Sequence, residues 1–104
     1  MTFPSSTPPP YSFREEHLFA RDRARLVEEG ISEQEIDAHK LAIEMQILPN
    51  PFEWPWSAAL DADDPTGTRV AISEPTESEP NALTILYRVE GTMIRLWRVR
   101  RRDR

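Results

Sequence analysis

The stretch from Ala82 to Val99 constrains the fold more than any other part of this chain. Leu83, Ile85, Tyr87 and Val89 alternate with Thr84, Leu86 and Arg88, which is the period of a strand with one buried face. Glu90-Gly91 supplies a tight turn, and Met93 to Val99 returns as the partner strand. A lone hairpin is at best marginally stable in water, so its apolar face must be covered by other parts of the chain.

Two amphipathic helices can provide that cover. From about Arg14 to Glu29, Phe19, Arg23 and Leu26 fall on one face, with Ala20, Ala24 and Val27 beside them. Gly30 follows as a left-handed cap. Ser32-Glu33-Gln34-Glu35 is a capping box, in which Ser32 accepts from the Glu35 amide and Glu35 reaches back to the Ser32 amide. A second helix is predicted from Glu33 to Leu48, ended by Pro49-Asn50-Pro51. Ile36, Ile43 and Ile47 form one stripe on it and Leu41, Met45 and Leu48 another, a face broad enough for both a helix and a sheet. The short link implies an antiparallel helical hairpin.

The remaining stretches are less regular. Tyr11-Ser12-Phe13 is a candidate first strand, and Gly67 to Ile72 reads as another. Residues 1–10 hold Pro4, Pro8, Pro9 and Pro10 and are expected to be disordered, leaving residues 11–104 as one domain. Trp54, Pro55 and Trp56 are expected to cover an edge of the core. Asp61, Asp63 and Asp64 resemble the start of a calcium loop, but Thr66 and Ile72 stand where that loop needs Gly and Glu, so the run reads as a solvated turn.

Composition narrows the chemistry. The chain has no cysteine, which excludes disulfides and thiolate catalysis. No secretory signal or membrane span is evident, and a cytoplasmic location is expected. No cofactor or metal is expected; His17 and His39, the only histidines, lack metal-ligand spacing and read as surface or packing residues. The net charge of −5 is unevenly distributed: residues 1–80 carry 6 Lys+Arg against 16 Asp+Glu, whereas residues 81–104 carry 7 Arg against Glu90 and Asp103. A basic end on an acidic body suits a polyanion, an acidic partner, or the domain's own acidic helices.

The order of elements, one short strand, two helices and three antiparallel strands, resembles the RelE/ParE family of bacterial toxins. The segment from Thr84 to Asp103 carries the resemblance best, with Tyr87-Arg88-Val89, an acidic turn, a second apolar strand ending in Arg98-Val99, and the cluster Arg100-Arg101-Arg102-Asp103. Phe19, Asp22 and Leu26 are similar to the family's first-helix pattern, and Asn50-Pro51 to the end of its second helix. The resemblance covers residues 11–104 and implies an α+β domain with an N-terminal helical hairpin on a small antiparallel β-sheet.

It also implies a toxin neutralised by a cognate antitoxin. ParE-like members bind DNA gyrase, and RelE-like members cut messenger RNA in the ribosomal A site. Cleavage of RNA without a metal needs a base, an acid and cationic groups at the phosphate. RelE-like enzymes use Lys and Arg on the sheet and often a Tyr or His near the C-terminus. Here Thr84 stands in place of a strand Arg, Lys40 is the only Lys, and no Tyr or His accompanies Arg100–Arg104. An acidic protein is also a poor ribosome ligand. The sequence therefore points first to a gyrase-type toxin that works by protein binding. The rival is a ribosome-dependent endoribonuclease using Arg69, Arg88 and Arg102; a third reading is a non-toxic interaction module on the same fold. Trp97, Arg98, Arg100, Arg101 and Arg102 are the candidate partner-binding surface. Tyr87 is expected at the core edge with its hydroxyl partly wet.

Overall fold

A computed structural model describes residues 11–53, 58–59 and 67–102. The expectations for residues 1–10, for Trp54, Pro55 and Trp56, and for the Asp61–Asp64 turn lie outside the described residues.

Strand β1 (Ser12–Glu15) leads into helix α1 (His17–Glu28) and helix α2 (Glu33–Ile47). Strands β2 (Ala58–Ala59), β3 (Arg69–Ile72), β4 (Leu83–Glu90) and β5 (Met93–Arg101) follow. The sheet order is β1-β5-β4-β3-β2. Pairing is antiparallel from β2 through β5, but β1 lies parallel to β5, with Phe13 opposite Ile94 and Arg14 opposite Arg95. The sheet is thus mixed, not purely antiparallel. With Phe13 as its one apolar residue, β1 carries no alternation from which direction could be read.

The helix boundaries follow from local chemistry. At the end of α1, the Ile31 amide donates to the Leu26 carbonyl and the Gly30 amide to that of Val27. This is the Schellman arrangement, and Gly30 adopts the positive φ of 102° that it requires. At the start of α2, the Glu35 amide donates to Ser32 Oγ at 3.1 Å, one half of the expected box. The Glu35 carboxylate instead accepts from the Asn81 amide and side chain at 2.7 and 3.1 Å, tying α2 to the chain just before β4. Between β4 and β5, Glu90 pairs with Met93 across Gly91-Thr92. Gly91 alone has positive φ there, as a type II′ turn demands.

Both helices pack on one face of the sheet. Phe19, Leu26, Ile31, Ile36, Ile43 and Ile47 meet Ala71, Leu83, Ile85, Tyr87, Ile94, Leu96 and Val99 in one buried cluster. Each such Leu or Ile contributes about 1.5–3 kcal/mol. The second stripe of α2 does not join the core: Leu41 is 57% and Met45 66% exposed. A single layer of helices over one sheet leaves that side of α2 facing outward. Tyr87 is fully buried, and its hydroxyl donates to the Pro51 carbonyl, which fastens the turn after α2. The hydroxyl is therefore dry, not partly wet. His39 is buried with Nε2 at 2.8 Å from the Glu79 carbonyl oxygen, so that nitrogen carries the hydrogen.

Candidate functional site on the open sheet face

The core occupies one face of the sheet, so the alternate residues of each strand look away from it. Register brings them together. Arg88 of β4 lies opposite Arg95 of β5, and Arg95 lies beside Arg14 of β1. Three adjacent strands thus place three arginines in one row. Thr84 and Arg100 form another cross-strand pair on this face. Like charges side by side on a sheet oppose folding, so each needs compensation. Arg95 pairs with Glu16 and with Glu90, the latter at 2.6 Å. Arg14 Nε lies 4.0 Å from Glu16.

A β-bulge shapes the centre of this face. Leu86 pairs with Arg98 and Tyr87 with Leu96, leaving Trp97 as the extra residue. The Arg88 guanidinium sits over the Trp97 ring, 4.3 Å from its centroid, and Arg88 Nε donates to Thr68 Oγ1 at 2.9 Å. Trp97 in turn lines a cleft of about 240 Å³ with Glu16, His17, Leu18 and Arg95. The face can hold an anion beside a half-buried aromatic ring, the pairing used for single-stranded nucleic acids. Among the described residues, no group of three or more His, Asp or Glu is placed to hold a metal ion.

The residues singled out in the sequence are dispersed. Arg69 pairs in register with Tyr87 and so belongs to the core side, where it donates to the Phe52 carbonyl and lies over the Phe52 ring. Arg88 is on the open face. The Arg102 amide pairs with Ala82 at the far end of β4, roughly 20 Å along the strand from Arg88 at about 3.3 Å per residue. Its guanidinium holds the Ser73 carbonyl and Glu74 at 2.9 and 3.0 Å. The structure does not bring Arg69, Arg88 and Arg102 to one point.

Arg98 also has an internal partner. Its Nε and Nη2 donate to Asp22 of α1 at 2.7 and 3.0 Å, and the Val99 amide donates to the same carboxylate at 3.2 Å. Asp22 thereby caps the edge of β5 beyond the reach of β1. Its burial disfavours charge, but the Arg98 bonds, the Val99 amide and the charge of Arg25 outweigh that and hold its carboxyl below the usual range. Arg100 and Arg101 are exposed.

Sequence reasoning missed Arg14, Arg95 and Glu16. Counting back from the turn would have set Arg95 opposite Arg88; Arg14 and Glu16 required the parallel pairing of β1.

No protein-family model matches the chain, and no curated protein matches it. Solved structures do. Two crystal structures of the E. coli DinJ-YafQ complex, one described as a toxin-antitoxin complex, align with TM-scores of 0.54 and 0.55. They are 14% and 13% identical to this chain, covering 88% of it and 92% of theirs. The chain has the YafQ/RelE-like fold. A histidine-to-glutamine mutant of E. coli YafQ aligns equally well, with a TM-score of 0.54 at 13% identity over 88% of this chain and 93% of that one. The α+β architecture implied by the RelE/ParE resemblance is therefore present, with β1 paired parallel to β5.

Proposed function

We propose that this chain is the toxin of a toxin–antitoxin pair, neutralised by a cognate antitoxin, and that it acts on RNA through the open sheet face. The row Arg14–Arg95–Arg88 beside Trp97 carries this reading. Three cations abreast on neighbouring strands suit a polyanion, and the aromatic ring beside them suits its bases. The fold shared with YafQ, a protein solved in complex with DinJ, supports the toxin and antitoxin roles. A RelE-like messenger endoribonuclease thus displaces the gyrase-type toxin favoured by sequence. The acidity that counted against a ribosome ligand belongs to the chain's first 80 residues, and the open face presents the opposite charge.

The antitoxin surface is a separate assignment. Arg100 and Arg101 are exposed and free to meet an acidic partner, whereas Arg98 and Arg102 already hold Asp22 and Glu74.

Expression without an antitoxin should arrest growth, and pulse labelling separates the targets. The RNA reading expects protein synthesis to fall first while DNA synthesis continues. Early loss of DNA synthesis with translation intact would return the gyrase reading. No arrest at good yield would leave only an interaction module.

A further inference from the structure

We propose that Glu16 and His17 are the general base and general acid of this toxin, acting on single-stranded RNA in the cleft they share with Arg95 and Trp97. The inference rests on the RNA reading above and supplies the acid and base that the sheet arginines cannot.

Glu16 is the N-cap residue of α1, yet its side chain makes no capping bond. Ser, Thr, Asp or Asn there would satisfy a helix amide and stabilise the fold, as Ser32 does for α2. Glu16 instead turns its carboxylate toward Arg95 and Arg14. Its backbone is held in place, since the Glu16 amide donates to the Leu96 carbonyl at 3.0 Å and its own carbonyl accepts from Ala20. A locally poor residue fixed this firmly is expected at functional positions. His17 follows immediately, is exposed, and lines the same cleft as Glu16, Arg95 and Trp97. One small site therefore gathers a carboxylate, an imidazole, a guanidinium and an aromatic ring.

These groups match one reaction. A base stacks on Trp97, which is backed by Arg88. Glu16 takes the proton of the 2′-hydroxyl, and that oxygen bonds to the adjacent phosphorus. The bond from phosphorus to the 5′-oxygen breaks, and the leaving oxygen takes a proton from the His17 imidazolium. Arg95 stabilises the charge on the phosphoryl oxygens at the transition state. The products are a 2′,3′-cyclic phosphate and a 5′-hydroxyl, and proton exchange with solvent restores Glu16 and His17. No water is consumed in this step.

The test uses the full chain with purified ribosomes and a defined messenger. Wild type should yield 2′,3′-cyclic phosphate ends and fail on a messenger with 2′-deoxy at the cut nucleotide. Glu16→Gln and His17→Asn should each lower kcat by about 10²- to 10⁴-fold with KM changed less than about threefold. His17 is exposed, so His17→Asn should fold even if Glu16→Gln, which breaks the pair with Arg95, does not. A 5′-thiolate leaving group needs no protonation, so a messenger bearing that link should restore His17→Asn to near the wild-type rate. A purely structural His17 would show no such rescue. If wild type cleaves and His17→Asn cleaves equally well, this inference falls while the RNA reading stands. If wild type cleaves nothing but binds an antitoxin, both fall.

Discussion

Asp22 ties helix α1 to strand β5 through one carboxylate. It accepts from Arg98 twice and from the Val99 amide, on a residue only 7% exposed. A carboxylate held below its ordinary value of about 3.9 stabilises the fold at any pH above that value. The contribution disappears as pH falls through the depressed folded-state value. Asp22→Asn keeps the shape and loses the charge, and should cost about 2 kcal/mol near neutral pH, or roughly 10 °C in a domain this size. Thermal melts at pH 7 and pH 3 check this: the gap between variant and wild type should be wide at pH 7 and narrower at pH 3. Helical periodicity placed Arg23 on the buried face of α1, whereas the family resemblance picked out Phe19, Asp22 and Leu26, the residues that are buried. Arg23 instead spans Glu15, Glu33 and Asp37 at the surface, a set of partners that spacing within one helix cannot reveal.

At the level of elements, legibility followed the strength of local chemistry. The β4–β5 hairpin, Gly30 and Ser32 were readable because turn, cap and alternation each leave a residue-type signature. Helix α1 starts at His17, not near Arg14, because Arg14 and Glu15 belong to β1. Nothing in Ser12-Phe13-Arg14-Glu15 distinguishes a short edge strand from a helix start. The two stripes of α2 looked equivalent in sequence, yet only Ile36, Ile43 and Ile47 are buried; the choice between them belongs to tertiary packing. The bulge at Trp97 was equally invisible, and it sets the indole beside Arg88. The site was accordingly less legible than the fold. Its arginines lie on three strands, and only the β4–β5 register could be counted from the turn.

For the whole molecule, segregated charge is the organising feature. The arginine-rich end supplies the cations for both partners, Arg100 and Arg101 for an acidic antitoxin and Arg88 and Arg95 for RNA. Arg100 and Arg101 are exposed, so replacing both with Ser should slow association with the antitoxin severalfold at low salt, less at high salt. Melting temperature should barely move. Stopped-flow binding beside a thermal melt reads both, and an unchanged rate with an early melt would mean that these arginines serve the protein's own acidic helices.

The central claim, that the Arg88–Trp97 face works on RNA, is tested most directly by mapping 5′-hydroxyl ends across cellular messengers after induction. Wild type should produce new ends within coding sequences in minutes, and Trp97→Ala, at equal soluble yield, should lose most of them. Growth arrest without new ends, or the same ends from Trp97→Ala, would contradict the account.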